Sequence, residues 1–136
     1  QREVRRDEDM PRVAQVIYNR LTGASSAHGI PAGLLQMDST IHFAINDDTD
    51  TVFTTEVQRQ VDSVYNTYIH AGIPPGPIAS PGEAALRAAL EPAGGSDCYF
   101  SAVNLDTGET KFAVTPEDHA ANVAELQAFC RESDLC

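Results

Sequence analysis

The sequence predicts a single α+β domain that is mostly helical and has one small antiparallel β-hairpin as its main sheet. Three observations lead to this fold class. Apolar side chains recur at helical spacing in several segments, one pair of segments reads as strands around a turn, and 136 residues suit one domain. No repeat or linker divides the chain, so residues 1–136 are expected to form one domain.

The first helix is expected from about Met10 to Leu21. Three acidic residues precede it, Pro11 falls in its first turn and Gly23 follows its last, as is typical of helix ends. Its apolar residues recur at helical spacing: Val13, Val16, Ile17 and Leu21. A short helix carrying Glu3 is expected to pack ahead of Met10, although position 3 alone is typical of a frayed terminus.

The middle of the chain alternates loops and short helices. Residues 22–33 are expected to form a surface loop, residues 34–45 to hold a short helix, and residues 46–51 to form a charged turn. Thr54 or Thr55 is expected to cap a helix with one apolar face, made by Val57, Val61 and Val64. Residues 72–82 contain too many Pro and Gly residues for a helix or central strand, which predicts a rigid, extended loop.

The C-terminal part predicts a helix, a hairpin and a final helix. Glu83–Leu90 is rich in Ala and Leu, and the hairpin strands are expected at 98–103 and 109–114 around a turn that contains Gly108. Thr115 and Pro116 are a strong helix start, so the last helix is expected to run from about Pro116 to Cys130.

Composition excludes several classes of function. The formal net charge of −11 and pI near 4.5 argue against a nucleic-acid groove or an anionic membrane surface, because both need clustered Lys and Arg. No apolar run is long enough for a membrane span. The four scattered histidines and three cysteines lack metal-ligand spacing, so no metal is expected. No Walker or GxGxxG signature is present, so no nucleotide cofactor is expected.

The cysteines permit one disulfide, which weakly favours an extracytoplasmic setting. If the final helix lies along the hairpin, its far end is too distant from Cys98 for a bond, whereas a bent tail can return Cys136 to Cys130. We therefore predict Cys130–Cys136, with Cys98 as a small buried hydrophobe.

The segment YNTYIHAGIPPGPIASPG, at positions 65–82, is the most informative stretch. Its tyrosines, asparagine and threonine offer hydrogen-bonding edges and flat apolar faces before a stiff loop, a combination that suits a carbohydrate ligand. A structural corner with the tyrosines in the core explains the same residues equally well.

This segment also resembles the MltG (YceG-like) endolytic murein transglycosylases, which cleave peptidoglycan glycan strands. The likeness continues, in the same order, in the Glu3 region, in RVAQVIYNRL at 12–21, in LLQMDSTIHFA at 34–44 and, more weakly, in KFAVTPEDHAANV at 111–123. These stretches span nearly the whole chain, so the resemblance implies that residues 1–136 are the catalytic domain, without the N-terminal anchor and the preceding small domain of the family.

The resemblance implies roles for particular residues. Glu3 matches the catalytic acid/base, and Gln1 stands where the family commonly has the first acid of an ExE pair. Residues matching substrate-binding positions are Gln36, Asp38, Ser39, Thr40, Tyr65, Asn66, Thr67 and His119. The structural alternative is that Asp38 and Thr40 cap a helix and His119 satisfies a loop carbonyl.

The implied activity is endolytic cleavage between MurNAc and GlcNAc with formation of an anhydro-MurNAc end, in a lysozyme-like cleft between the Glu3 helix and the 65–82 loop. A non-catalytic peptidoglycan-binding module is one alternative. A glycan hydrolase with two carboxylates is another, with Asp38 as the second.

The resemblance also implies a setting at the outer face of the cytoplasmic membrane, with a single-pass anchored parent protein and a soluble, monomeric fragment. The implied partners are peptidoglycan glycan strands and cell-wall synthesis enzymes, with no nucleic acid. One departure from the family is the longer loop at 22–33, which is expected to reshape one wall of the cleft.

Overall fold

The computed structural model describes residues 1–47 and 53–136. In chain order the elements of this described part are α1 (Met10–Leu21), α2 (Asp38–Ala44), α3 (Glu83–Leu90), β1 (Tyr99–Asn104), β2 (Glu109–Ala113) and α4 (Pro116–Glu132). Short 3-10 turns cover Asp7–Asp9, Ala24–His28 and Gln58–Gln60. The predicted α+β class is confirmed, with helices in the majority and one two-stranded antiparallel sheet among the described residues.

The helices α1 and α3 pack against each other around a small apolar cluster. Its buried members come from the N-terminal segment, α1 and α3: Val4, Met10, Val13 and Ala88. The predicted apolar stripe of α1 therefore faces the core, while Arg12, on another side of the same helix, pairs with Asp97 at 2.7 Å. Burial of this stripe, rather than helix propensity, supplies most of the stability of such a short helix.

The hairpin carries the last helix. Tyr99 pairs with Ala113 and Phe100 with Phe112 across the sheet, and α4 packs against β1. Gly108 has φ +69° in the turn, a conformation that L side chains rarely adopt. The Thr115 hydroxyl accepts a hydrogen bond from the Asp118 N–H, as the predicted cap requires.

The N-terminal segment departs from the prediction. Residues 1–6 form no helix, so the expected Glu3 helix is wrong. The Arg5 guanidinium donates to the Leu105 carbonyl at 2.9 Å, and the Arg6 guanidinium to the Thr107 carbonyl at 2.9 Å. These long-range bonds tie the segment to the hairpin turn, and no local sequence signal encodes them.

The helix predicted around Val57, Val61 and Val64 is also wrong. Only the 3-10 turn Gln58–Gln60 forms there, and Val57 and Val64 are 82% and 64% exposed. The apolar spacing was misleading because no neighbouring element in the described part of the chain packs against these valines. Of the predicted charged turn at 46–51, residues 48–51 lie outside the described part of the chain.

The C-terminal end agrees with the predicted disulfide. Cys130 and Cys136 are bonded with 5.5 Å between their Cα atoms, and Cys98 is a buried free thiol. No described helix is long and apolar enough to cross a bilayer.

Candidate active site

A cavity of about 640 Å³ lies beside the N-terminal segment, where α2 begins and where β1 and α4 pack together. Of the residues expected in the site, those that line it are Glu3, Gln36, Asp38, Ser39 and His119. From the 65–82 segment only Tyr68 lines it, so the expected cleft wall is matched by one residue of that loop. A lysozyme-like shape stays a prediction.

The Glu3 carboxyl is anchored through one oxygen. Its Oε1 accepts a hydrogen bond from the Ser39 N–H at 3.2 Å and another from the Ser39 hydroxyl. Ser39 is the second residue of α2, so the exposed N–H groups at the start of that helix face the carboxyl. Oε2 has no hydrogen-bond partner among the described residues and is not enclosed, which leaves it free for chemistry.

Burial raises the pKa of Glu3 above its ordinary value of 4.5. The two hydrogen bonds from Ser39 act in the opposite direction, and the neighbouring charge of Asp38 adds to the rise. Desolvation dominates because it penalises the charged form. A carboxyl in this state holds a proton at higher pH than usual, as a general acid must.

Asp38, the first residue of α2, is held by three donors. Its Oδ1 accepts from the Thr54 hydroxyl at 2.7 Å and from the Tyr68 hydroxyl, and its Oδ2 lies 3.5 Å from an Arg59 guanidinium nitrogen. The carboxylate is therefore fixed in the wall beside Glu3.

Tyr68 is the member of the YNTY motif that reaches the cavity. Burial and the adjacent Asp38 carboxylate raise the pKa of its hydroxyl well above the ordinary value of 10, so it stays a hydrogen-bond donor. The Arg59 guanidinium lies 5.1 Å from the centre of the Tyr68 ring, which is within the range of a cation–π contact.

Arg20 is a functional candidate that the sequence did not reveal. It is 5% exposed, and its guanidinium donates to the Cys98 carbonyl at 2.9 Å and to the Leu35 carbonyl. It lines the cavity from the end of α1. In the sequence it reads as an ordinary C-terminal helix cation, and nothing distinguishes it from the exposed Arg12.

Tyr99 and His119 form a stacked pair in the cavity wall, with ring centres 4.7 Å apart and an angle of 19° between planes. The Tyr99 hydroxyl donates to the His28 carbonyl at 2.5 Å, so the 22–33 loop fixes this ring. Burial and the charge of Arg20 lower the pKa of His119, which favours a neutral imidazole.

Thr40, Asn66 and Thr67 are buried and do not line the cavity. Thr67 bonds to Thr40 and Met37, and the Asn66 amide donates to the carbonyls of Arg59 and Val61. These bonds give the three residues a scaffold role in the structure, and their contact with substrate stays a prediction.

Tyr65 and Gln36 complete the predicted set. Tyr65 packs on Phe43, with ring centres 4.7 Å apart, and lies against Gly76 outside the cavity lining. Gln36 lines the cavity with φ +51°, and its N–H donates to the Thr67 carbonyl at 3.0 Å. That unusual backbone conformation is maintained by the bond to the YNTY motif.

No group of His, Cys, Asp and Glu side chains suited to hold a metal ion occurs within residues 1–47 and 53–136. The cavity lining offers one carboxyl with a raised pKa, one fixed carboxylate, neutral hydrogen-bond donors, arginines and aromatic faces.

Comparison with known proteins identifies the family of this chain. The model of the YceG-like family matches residues 1–125. An endolytic murein transglycosylase of Bacillus subtilis (strain 168) is 35% identical over 111 residues, which is 82% of this chain and 28% of that protein. An endolytic murein transglycosylase of Streptococcus pneumoniae serotype 2 (strain D39) is 30% identical over 128 residues, which is 92% of this chain and 22% of that protein.

Among solved structures, the 2.6 Å crystal structure of a YceG-like protein from Listeria monocytogenes has a TM-score of 0.72 and 36% sequence identity. The similarity covers 88% of this chain and 35% of that one. This chain therefore spans about a quarter to a third of the proteins it resembles. The family match over nearly its full length is nevertheless sufficient to conclude that the chain belongs to the YceG-like family.

Proposed function

We propose that this chain is the catalytic domain of an endolytic peptidoglycan lytic transglycosylase that cleaves between MurNAc and GlcNAc and leaves an anhydro-MurNAc end. The observation that carries the proposal is the Glu3 carboxyl, which lines a large cavity with a raised pKa and one anchored oxygen. The names of the Bacillus and Streptococcus relatives support the same reaction.

Glu3 acts first as the general acid. Because Oε1 accepts both Ser39 donors, the proton is expected on Oε2, where it can reach the bridging glycosidic oxygen. The C–O bond to the anomeric carbon then breaks as that oxygen takes the proton. Ser39 is a positioning residue, because its two donors aim the carboxyl and then stabilise the carboxylate left behind.

The substrate supplies the groups that a second carboxylate supplies in ordinary glycosidases. The MurNAc acetamido group assists departure of the leaving group, and the primary hydroxyl of the same sugar then attacks the anomeric carbon. Glu3, now ionised, accepts the hydroxyl proton and is regenerated. No water is consumed, so the products have the combined mass of the substrate.

Gln36, Tyr68 and His119 are proposed to contact the glycan, since each presents a hydrogen-bonding group in the cavity lining. Tyr99 and His119 add flat faces that suit the apolar side of a pyranose ring. Asp38 is proposed to accept sugar hydroxyls while it holds Tyr68 and Arg59 in place.

A two-carboxylate hydrolase is the second candidate, because Asp38 and Glu3 line the same cavity. The three donors on Asp38 favour a fixed structural carboxylate over a group that moves protons in each turnover. A pure binding module is a weaker candidate, since binding alone gives no reason to bury a carboxyl with a raised pKa.

Mass spectrometry of glycan fragments produced in ¹⁸O-labelled water separates the three candidates. The proposal predicts anhydro ends without ¹⁸O. Reducing ends that carry ¹⁸O would establish a hydrolase, and the absence of any cleavage by a protein shown to bind strands would establish a binding module.

The proposed substrate places the activity outside the cytoplasm, where peptidoglycan lies. We propose that the domain acts on glycan strands at the outer face of the cytoplasmic membrane, as a monomer and beside cell-wall synthesis enzymes. Fractionation of cells with an antibody to this domain, and crosslinking to the synthesis enzymes, test that setting.

A further inference from the structure

Arg20 is a buried positive charge without an anionic partner among the described residues. No carboxylate in that part of the chain forms an ion pair with it, and its side chain is held by two backbone carbonyls. Burial of an unpaired charge is costly, so a natural protein rarely maintains one without a use. By contrast, Arg59, which also lines the cavity, is paired with the Asp38 carboxylate.

The donors of Arg20 are only partly used. Nε donates to the Cys98 carbonyl and one Nη1 hydrogen to the Leu35 carbonyl. Nη2 has no acceptor among the described residues and is not among their enclosed, unpartnered atoms, so it remains open to the cavity that Arg20 lines. The guanidinium thus keeps three free N–H groups, one on Nη1 and two on Nη2, and such donors suit a carboxylate.

Glu3 does not fill this role. Its Oε1 is bound by Ser39, it forms no ion pair with Arg20, and it must carry a proton to act as the acid. Arg2 and Arg5 also line the cavity and have no ion pair within the described ranges, so they add positive potential to the cavity. This arrangement stands out in a chain with a net charge of −11.

We propose that Arg20 is the centre of a carboxylate-binding subsite, with His119 and Tyr99 as its neighbours, that recognises an acidic group on the muramyl unit of the glycan. The inference rests on the proposed function and deepens it. The Arg20 guanidinium lies 5.7 Å from the Tyr99 ring centre, so the cation and the aromatic wall form one surface. A neutral His119 beside it can donate a hydrogen bond through Nε2, because Nδ1 is enclosed without a partner.

Two parts of peptidoglycan carry such a carboxylate. One is the lactyl group of a muramyl unit without peptide, and the other is a free carboxylate of the stem peptide. Both present a planar anion next to the same sugar, so the proposed chemistry is shared and the source is decided by experiment.

The test uses the wild-type protein and small ligands that it cannot cleave. Binding of N-acetylmuramic acid, its methyl ester, muramyl dipeptide and the methyl ester of that dipeptide is measured by NMR titration. An acid is expected to bind roughly tenfold more tightly than its own ester. A difference confined to N-acetylmuramic acid assigns the lactyl source, and one confined to the dipeptide assigns the stem peptide. Equal affinity in both pairs would overturn the proposal.

The His119 imidazole provides a second readout. A bound carboxylate is expected to raise the pKa of His119 in the titration, while the esters leave it unchanged. Arg20→Lys is expected to lose most of the preference for acid over ester, because an ammonium cannot present the same fork. Arg12→Gln, on the same helix but outside the cavity, is the matched control and should retain the preference.

These outcomes separate the subsite from the proposed reaction. Acid-selective binding together with hydrolytic products would contradict the transglycosylase and leave the subsite intact. Anhydro products without acid selectivity would contradict the subsite alone. If Arg20→Lys fails to fold, the comparison of acids with esters on the wild-type protein still decides the question.

Discussion

Thr67→Val removes one hydroxyl from a closed ring of hydrogen bonds that joins two of the sequence motifs. The Met37 N–H donates to the Thr67 hydroxyl at 3.0 Å, the two threonine hydroxyls are 2.8 Å apart, and the Thr40 hydroxyl donates to the Met37 carbonyl at 2.6 Å. Thr67 is 2% exposed, so water cannot replace the lost group. Valine has nearly the same shape, which isolates the effect of the hydroxyl.

The expected cost follows from the Met37 N–H, which loses its only acceptor in the described structure. A buried donor left without a partner costs about 1–3 kcal/mol, and we expect about 2 kcal/mol here because Thr40 keeps its own acceptor. For a domain of this size that corresponds to a fall in Tm of about 8 °C.

Urea denaturation monitored by circular dichroism measures the free energy of unfolding directly. Thr55→Val is the matched control, because Thr55 is exposed and also bonds to Gln58, and its effect is expected to stay within about 0.5 kcal/mol. KM for glycan should be unchanged in both variants. A Thr67→Val protein with wild-type stability but a raised KM would refute the scaffold role and restore the substrate contact.

Three further predictions concern Glu3, Ser39 and Tyr99. Burial raises the pKa of Glu3 in the folded state, so its ionisation disfavours folding as pH rises above about its ordinary value of 4.5. Glu3→Gln should therefore raise Tm at pH 7, with the gain vanishing below pH 4.5, and a lower Tm at pH 7 would contradict this. Ser39→Ala removes the hydroxyl bond to Glu3, the larger of the two Ser39 bonds that lower its pKa, and keeps the bond from the Ser39 N–H. The limb of the kcat/KM profile that reports Glu3 should therefore move to higher pH while folding is kept, and an unmoved limb would argue against positioning by the Ser39 hydroxyl. Tyr99→Phe loses the bond to the His28 carbonyl and should cost about 1 kcal/mol and accelerate amide exchange in Ala24–His28, whereas unchanged exchange would show that the loop is held by other contacts.

The sequence predicted the elements whose signals are local. Glu83–Leu90 matches α3, and the Thr115 cap and the Pro116 start of α4 are confirmed. The hairpin strands shift by one residue at most at their ends. Apolar period, capping chemistry and breakers act over a few residues, so they can be read without tertiary information.

The errors arose where long-range contacts decide the conformation. Glu3 lies in a non-helical segment because Arg5 and Arg6 bond to the hairpin turn about a hundred positions away, and no periodicity signals this. Val57 and Val64 fit helical spacing, yet both side chains are exposed, because no other described element packs against them.

The site was predicted partly through the family resemblance. That resemblance identified Glu3 and its neighbour Ser39, whose contact brings the chain start to the beginning of α2. It did not separate cavity residues from scaffold, since Asn66 and Tyr68 stand two positions apart and only Tyr68 reaches the cavity. Arg20 escaped prediction because its partners are backbone carbonyls, which leave no trace in residue identity.

The most direct test of Glu3 as the catalytic acid and base is the rate of anhydro-product formation by Glu3→Gln, with Glu8→Gln as control. Both substitutions replace a carboxylate with an amide near the start of the chain, but the Glu8 side chain is 77% exposed and outside the cavity. Glu3→Gln is expected to fold, and its rate of anhydro-product formation is expected to fall by a factor of about 10² to 10⁴, or more. Glu8→Gln is expected to keep wild-type turnover. Wild-type turnover by Glu3→Gln would contradict the assignment of Glu3 as the catalytic acid and base.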